Sequence, residues 1–342
     1  MKILETTSTA LSPLQTEEAI ELVKTTFLKE LSQALDLKKV SAPMVVLKGT
    51  GINDDLNGLE RPVAFPIKDM GECPAEVVHS LAKWKRLRLK EYGIPVGKGL
   101  VTDMRALRPD EEHSALHSIY VDQFDWEKHI QPAARHLDTL KTTVQSIYQA
   151  LKATEQKVYQ SYPHLLPSLP ESITFVHTED LLALYPDLSP KEREDAIVQQ
   201  HGAVFLIGIG GELAHGEKHD GRAPDYDDWT TATSEQHRGL NGDILVWNPV
   251  LGRAFELSSM GIRVDAMALL HQLELEGALD KKDLYFHQLL LEGALPQSIG
   301  GGIGQSRLAL FLLQKRHIGE VQVSIWSEKE RAKAQKAGID LL

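Results

Sequence analysis

Cysteine is nearly absent from this sequence, which has a single one, Cys73, among 342 residues. One thiol excludes an intrachain disulfide and a cysteine-based zinc site, and it is typical of a reducing compartment. Long apolar runs are missing as well. The longest, residues 203–209, is far shorter than the roughly 20 residues that span a bilayer, and residues 1–11 lack the apolar segment of a secretory signal. We therefore expect a cytoplasmic protein with no membrane partner.

Positive charge is also scarce. Lys and Arg together number 37 against 48 Asp and Glu, which gives a formal net charge of −11. Because binding to nucleic-acid phosphates rests on clustered Lys and Arg, this balance argues against a nucleic-acid partner and favours a small-molecule substrate. A basic run from Lys83 to Lys90 is more typical of a solvated helix face than of an RNA contact.

Hydrophobic periodicity indicates a mixture of helices and strands. A long first helix, with Thr16 as its N-cap, is predicted from apolar residues at helical spacing: Ile20, Val23, Phe27, Leu31 and Leu35. Short β-prone segments and further helices follow, and Pro43 predicts that the first segment, 40–47, is an edge or interface strand. Residues 243–250 and 253–263 predict a hairpin. Since no linker appears, we expect one continuous domain over residues 1–342.

A glycine-rich segment precedes an apolar helical pattern near the end of the chain. Gly300 to Arg307 reads GGGIGQSR. Free backbone amides and a helix N-terminus there would suit a nucleotide, with Arg307 for phosphate charge or adenine stacking. The segment matches neither a Walker loop nor the G-x-G-x-x-G fingerprint. The alternative is a loop in which glycine merely allows positive φ.

Polar residues alternate along one predicted strand. Gln123, Asp125 and Glu127 occupy every second position after a charged turn at Arg108 to Glu112. Alternate residues of a strand share a face, so one amide and two carboxylates point the same way. In a polar pocket they would form a site for an ammonium group or a metal ion. A solvated sheet face is the alternative.

The predicted hairpin brings two carboxylates together. Asp243 lies on its first strand and Glu256 on its second, opposite each other in our prediction. Magnesium prefers oxygen ligands, so this pair could hold the magnesium of ATP.

Taken together, these segments resemble the catalytic core of class II aminoacyl-tRNA synthetases. The first helix and strand with Pro43 resemble its first motif, Arg108 its second, and the segment ending at Arg307 its third. The resemblance implies an α+β fold, α/β in the broad sense, with a central, mainly antiparallel β-sheet flanked by helices.

Within that class, the chain is most similar to the ammonia-dependent asparagine synthetases. The likeness covers nearly the whole chain, through the segments 79–85, 106–110, 222–229 and 240–243. Residues 1–15 match poorly and are interpreted as an N-terminal extension. Asp55 departs from the family pattern, which has Asn there.

The resemblance implies a two-step reaction and a homodimer. The β-carboxylate of L-aspartate attacks the α-phosphorus of ATP, and ammonia then displaces AMP from β-aspartyl-AMP. The family likeness implies that Asp54 is the proton acceptor and that Arg108 and Gln123 act at the α-phosphoryl group. It implies that aspartate is bound by Ser80, Lys85, Asp125, Asp227, Ser259 and Arg263. It also implies that ATP is bound by Arg108, Glu111, Gly302, Gly304 and Arg307, and Mg²⁺ by Asp243 and Glu256.

Two other readings stay open at this stage. An aspartyl- or asparaginyl-tRNA synthetase would need an anticodon-binding module, for which this acidic chain leaves no room. A non-catalytic paralogue that binds an amino acid or a nucleotide is disfavoured because Arg108 and Arg307 are both present. The nitrogen donor is expected to be free ammonia, since Cys73 does not resemble the reactive thiol of a glutaminase.

Overall fold

The computed structural model describes residues 11–56 and 60–342. Most of the predicted N-terminal extension, residues 1–10, lies outside the described residues. The helices are α1 (Pro13–Leu35), α2 (Ala82–Glu91), α3 (Leu137–Ser161), α4 (Thr178–Leu184), α5 (Pro190–His201), α6 (Ala266–Leu275), α7 (Tyr285–Leu291), α8 (Gln305–Leu312) and α9 (Glu328–Lys336). In the described part of the chain, none of them is both long and apolar enough to cross a membrane.

The strands form one large sheet and one small sheet. They are β1 (Leu37–Lys39), β2 (Val45–Leu47), β3 (Ala64–Ile67), β4 (Cys73–Val77), β5 (Gly99–Leu107), β6 (Tyr120–His129), β7 (Thr174–His177), β8 (Ala203–Ile207), β9 (Asn241–Asn248), β10 (Arg253–Ile262) and β11 (Ser298–Gly304). The large sheet has the order β1-β5-β6-β11-β10-β9-β8-β7 and the small one β2-β4-β3. Only β1–β5 and β7–β8 pair in parallel among the described strands, so the expected mainly antiparallel sheet is confirmed.

The first helix begins earlier than predicted. Ser12 is its N-cap: the Ser12 side chain accepts from the amide of Gln15, and the Gln15 side chain accepts from the amide of Ser12 at 2.9 Å. Pro13 follows at the first helical position, which suits its fixed φ. Thr16 is buried inside the first turns, so our prediction of Thr16 as the cap was wrong. The apolar stripe itself is confirmed as the buried face.

The main hydrophobic core lies on one face of the large sheet. Helices α1, α3 and α8 cover that face, and their apolar side chains pack on Phe124 and Trp126 of β6 and on Met260 and Ile262 of β10. Along each strand the intervening residues point to the opposite face. That opposite face carries Gln123, Asp125 and Ser259, and it is where the cavities lie.

The glycine-rich segment is a central strand rather than a loop. Residues 298–304 pair with β10 on one side and with β6 on the other, so their backbone is used within the sheet. No glycine from Gly300 to Gly304 has a positive φ. The alternative of a loop with positive φ was therefore wrong, and so was the expectation of free backbone amides along this segment. The ladder of hydrogen bonds outweighs the low strand propensity of glycine at this position.

Candidate active site

Two adjoining cavities lie on the face of the large sheet opposite the main hydrophobic core. The first, of about 380 Å³, is lined by most of the predicted aspartate and metal residues: Asp54, Ser80, Lys85, Asp125, Asp227, Asp243, Ser259 and Arg263. The second, of about 310 Å³, is lined by Glu111, Gly304 and Arg307. Four residues line both, and they form a shared wall: Arg108, Gln123, Glu256 and Gly302. All fifteen predicted site residues therefore converge on two connected spaces.

The alternation along β6 is the feature that the sequence predicted best. Gln123 and Asp125 line the first cavity, and Glu127 lies deeper on the same face. Asp125 is 3% exposed and Glu127 is fully buried. The alternative of a solvated sheet face is therefore wrong, because buried carboxylates at these positions are held by cations.

Glycine on β11 makes room for these polar side chains. A Cβ atom at Gly300 would overlap the carboxylate of Glu127, and one at Gly302 would overlap the amide of Gln123. The neighbouring strand can therefore aim long polar groups across β11 toward β10. This close approach explains the glycine pattern of the segment.

Helix α2 contributes buried cations rather than a solvated face. Lys83, Lys85 and Arg86 are each at most 3% exposed, so our prediction for this basic run was wrong. The Nζ of Lys85 donates to Asp125 (2.5 Å) and to the carbonyl of Gly301 (3.0 Å). Burial lowers the pKa of Lys85, and the charge of Asp125 opposes that shift. Partners on distant strands, invisible to local sequence reasoning, stabilise these charges.

Arg263 is the most heavily paired cation of the site. Its Nε and Nη2 donate to both carboxylate oxygens of Glu127, at 2.7 to 3.1 Å, and its Nη1 donates to Asp227. Glu127 also accepts from the hydroxyl of Ser298 at 2.7 Å. Burial raises the pKa of Asp227, whereas Arg263 and Arg222 act against the shift. The geometry is that of a bidentate Arg–carboxylate pair, which orients both partners.

Glu256 and Asp243 both line the first cavity, because an irregularity in β10 turns Glu256 toward it. Asp243 lies opposite Ser259, not opposite Glu256 as we predicted, and the register shifts between Glu256 and Ser258. This β-bulge turns Glu256 to the same face as Ser259 and Arg263, whereas regular alternation would point it into the core. Bulges commonly re-aim side chains beside functional sites.

The two carboxylates are placed where a divalent cation would relieve their repulsion. Burial raises the pKa of Asp243 to about 6, and the charge of Glu256 adds to the rise while Arg222 opposes it. Among the described residues no group of three or more His, Cys, Asp or Glu could hold a metal alone. Mg²⁺ usually takes one or two carboxylates together with substrate phosphates, so two carboxylates suffice.

Asp54 follows β2, the first strand of the small sheet, and is buried. Its Oδ2 accepts from the hydroxyl of Ser80 at 2.9 Å, and its Oδ1 accepts from the amide of Leu56 at 2.9 Å. The ring of His79 contacts the Asp54 carbonyl at 3.1 Å. These contacts fix the carboxylate at the edge of the first cavity, where it can take a proton from a neighbouring group.

The second cavity ends at the start of α8. Arg307, one quarter exposed, lies 3.4 Å from Glu256 and stacks over Phe255 at 5.6 Å. Its Nη2 donates to Nε2 of His117 at 2.8 Å. Burial lowers the pKa of His117 to about 4, and the charge of Arg307 adds to the shift, so the ring is neutral and can accept this hydrogen bond.

Two residues of the site escaped sequence reasoning. Arg222 lines the first cavity and donates to Asp243 at 2.6 Å, and His117 lines the second. Arg222 stands alone among the acidic residues of RAPDYDDW, which was a usable signal. Nothing in the local sequence distinguishes His117.

Comparison with known proteins gives one family. The model of the aspartate–ammonia ligase family matches residues 14–338. Aspartate–ammonia ligases from Parabacteroides distasonis and Bacteroides fragilis are 58% and 56% identical over 328 residues, which are 96% of this chain and 95% of each relative. That of Clostridium perfringens is 54% identical over 332 residues, 97% of this chain and 96% of the relative.

Solved structures with the same fold are class II aminoacyl-tRNA synthetases. Asparaginyl-tRNA synthetase of Pyrococcus horikoshii, complexed with asparaginyl-adenylate, has a TM-score of 0.65 at 15% identity, covering 90% of this chain and 68% of that one. A putative aspartyl-tRNA synthetase of Leishmania major has a TM-score of 0.65 at 13% identity, covering 92% and 65%. At these identities the likeness shows the fold, and it confirms the expected class.

Proposed function

The chain belongs to the aspartate–ammonia ligase family, and from that premise we propose how its two cavities form L-asparagine from L-aspartate, ammonia and ATP. The enzyme is a C–N bond-forming ligase. The observation that carries the assignment of roles is the shared wall of Arg108, Gln123, Glu256 and Gly302. A bond between aspartate and the α-phosphate has to form where an amino-acid space meets a nucleotide space.

L-Aspartate occupies the first cavity. Lys85 and Arg263 face its carboxylates, and Asp125 and Asp227 face its ammonium group. These four side chains are already linked as Lys85–Asp125 and Arg263–Asp227 pairs, so the two carboxylates and the ammonium group of the substrate join an alternating network. Ser80 and Ser259 supply hydrogen bonds that orient the substrate.

ATP occupies the second cavity with its α-phosphate at the shared wall. Arg307 and Glu111 border the nucleotide, and Gly302 and Gly304 allow its close approach. Asp243 and Glu256 would hold a Mg²⁺ ion, which when bound supplies positive charge to the phosphates.

The first step joins aspartate to AMP. A β-carboxylate oxygen attacks the α-phosphorus, the bond to the β-phosphate breaks, and pyrophosphate leaves. Arg108 neutralises the charge that develops on the α-phosphoryl oxygens, and the amide of Gln123 donates a hydrogen bond beside it. The Nε of Arg108 is buried without a hydrogen-bond partner among the described residues, as expected for a donor whose acceptor is a substrate.

The second step forms the amide. Ammonium gives one proton to the carboxylate of Asp54, and the resulting ammonia attacks the β-carbonyl carbon of the adenylate. The acyl C–O bond breaks, AMP leaves, and the new amide loses a second proton. Since ammonium has no free electron pair, a proton acceptor at the edge of the first cavity is required.

The proposal is tested by the products of ATP. With aspartate, ammonium and Mg²⁺, the enzyme is expected to give AMP, pyrophosphate and asparagine in equal amounts. Omission of ammonium should leave at most one equivalent of pyrophosphate per site, and added tRNA should change neither yield nor rate. Stoichiometric ADP, or a requirement for tRNA, would overturn the mechanism.

Three family properties stay predictions: a single catalytic domain over residues 1–342, a homodimer and a cytoplasmic location. Light scattering of the purified protein measures the second directly. A mass of one protomer at micromolar concentration would contradict it.

A further inference from the structure

A third and smaller cavity, of about 140 Å³, lies behind the loop that carries Asp54. It is separate from the two cavities described above. Polar and charged side chains dominate its lining, among them Asn53, Asp55, Glu76, Lys83, Asp225 and His287.

The first and third cavities are lined by neighbouring residues of the same two segments. Asp54 lines the first cavity, whereas Asn53 and Asp55 line the third. The same alternation occurs in a second segment, where Tyr226 faces the first cavity and Asp225 the third. A ligand in the third cavity therefore contacts the sequence neighbours of Asp54, whose carboxylate acts as proton acceptor.

Two buried atoms in this cavity lack partners. Oδ2 of Asp225 accepts from Nζ of Lys83 (2.6 Å) and from Nε2 of His287 (3.0 Å). Oδ1 of Asp225 and Nδ1 of His287 are buried without a hydrogen-bond partner among the described residues, on side chains at most 2% exposed. With the ring proton on Nε2, which contacts Asp225, Nδ1 is an acceptor. Both orphan atoms thus require a donor.

The lining also carries carboxylate charge in excess of its firm ion pairs. Lys83 compensates Asp225 at 2.6 Å, and Lys281 compensates Asp55 at 2.7 Å. Glu76 has a looser cation, because Lys48 lies 3.9 Å away with more than half of its side chain exposed. Such a solvent-exposed pair is weak. The lining has three lysines for three carboxylates, and it is the loosely paired Glu76 together with the two orphan atoms that favours a small ligand that donates hydrogen bonds.

We propose that this cavity binds ammonium and holds the nitrogen donor next to Asp54 before it enters the first cavity. Ammonium has four N–H donors and no acceptor, which matches two orphan acceptors and an under-compensated carboxylate. The inference rests on the proposed function, in which ammonium gives its proton to Asp54. Asp225 and His287 act here as binding residues for ammonium, distinct from those that hold aspartate.

The test is the variant His287→Leu, which replaces the imidazole by an apolar side chain and removes both the acceptor Nδ1 and the Nε2 that contacts Asp225. We expect the KM for ammonium to rise about tenfold, the loss of one hydrogen bond to a charged group. The KM values for aspartate and ATP, and the single-turnover rate of pyrophosphate release without ammonium, should stay within about twofold of wild type. Equal changes in all three KM values, or none, would overturn the proposal.

Two further variants separate ammonium binding from a structural effect. His317 is another buried histidine beside a carboxylate, with Nε2 3.4 Å from Glu330, but it lines none of the three cavities. His317→Leu should therefore leave the KM for ammonium unchanged. His287→Gln offers a donor and an acceptor again and should restore most of the affinity.

A second route remains if His287→Leu does not fold. Glu76→Gln keeps the side chain that Asn53 contacts at 3.1 Å but removes its charge, and it should raise the KM for ammonium about threefold. Ammonium binding can also be measured without turnover, as broadening of the ¹⁵N-ammonium NMR resonance by the wild-type protein in the absence of ATP. Asparagine formation by wild type tests the proposed function independently, so the two can fail separately.

Discussion

The first and second cavities share a wall, but they hold their charges differently. In the first cavity the cationic side chains are already paired: Lys85 with Asp125, and Arg263 with Glu127 and Asp227. All five side chains are at most 4% exposed. In the second, Arg307 is one quarter exposed and lies 3.4 Å from Glu256. Buried pairs fix geometry before the substrate arrives, whereas a looser arginine keeps its charge available for phosphates.

The largest effect is expected from a substitution that breaks the buried ion pairs of the first cavity. Arg263→Leu leaves Glu127 and Asp227 buried without their cation, which should lower the free energy of unfolding by about 3–5 kcal/mol. Urea unfolding followed by circular dichroism measures it. Arg307→Leu, its counterpart in the second cavity, should lose far less stability while raising the KM for ATP. If both variants unfold at the same urea concentration, the contrast between the cavities is wrong.

Removing the arginine of the shared wall should affect chemistry rather than folding. We expect Arg108→Ala to slow pyrophosphate release by about 100 to 1000-fold, because it deletes a donor at the α-phosphoryl group. Aspartate-dependent ATP–pyrophosphate exchange measures the step. Arg105 lies on β5, just before Arg108 in the chain, and is exposed and outside both cavities, so Arg105→Ala is the matched control with near-wild-type exchange. Similar losses in both variants would point to a general effect of charge.

Asp54→Asn should slow the second chemical step much more than the first. The amide cannot take a proton from ammonium, so asparagine formation is expected to fall about 100-fold while pyrophosphate release changes little. Single-turnover kinetics that follow both products make the comparison. Higher pH or hydroxylamine should rescue the second step. Equal slowing of both products without rescue would make Asp54 a substrate-binding residue.

Acidity should weaken Mg·ATP binding through Asp243. Burial raises the pKa of this carboxyl to about 6, with Glu256 adding to the shift, so a fall in pH through 6 protonates it and removes a ligand charge. From pH 7.5 to 5.5 the ionised fraction falls about fourfold, and the KM for Mg·ATP should rise accordingly. Asp243→Asn should show a high KM without this dependence. A flat wild-type profile would remove Asp243 from the metal site.

The smallest effect belongs to a residue outside both cavities. Cys73 is half-buried at the start of β4, and no proposed step uses a thiolate. Cys73→Ser should keep ammonia-dependent synthesis within about twofold of wild type. Steady-state rates before and after treatment with a thiol reagent give the measurement. Loss of turnover in a folded variant would reveal a role that the geometry does not suggest.

The predictions that were confirmed rest on local sequence patterns. The shared face of Gln123, Asp125 and Glu127 follows from the two-residue period of a strand, which needs no knowledge of the neighbours. The buried stripe of α1 follows in the same way from helical spacing. The family likeness supplied the remaining site residues, since their convergence depends on segments far apart in the chain.

Other features failed because their causes are not local. Lys83 and Lys85 look solvated in a basic run, and they are buried because Asp225 and Asp125 reach them from other segments. The glycines of β11 are typical of a loop, but they pair as a strand between β10 and β6, where the absence of Cβ atoms leaves room for Glu127 and Gln123. A propensity describes one residue, whereas burial is decided by its partners.

By itself, then, the sequence determined the class of fold, the polar face of β6 and, through family likeness, the set of residues that meet at the site. Tertiary structure alone decided which charges pair, how the bulge between Glu256 and Ser258 turns a carboxylate to the cavity, and that Asp225 and His287 face a third cavity with unpaired acceptors. The physical reason is that periodicity acts over a few residues, while pairing, bulges and unsatisfied atoms depend on strands brought together by the sheet.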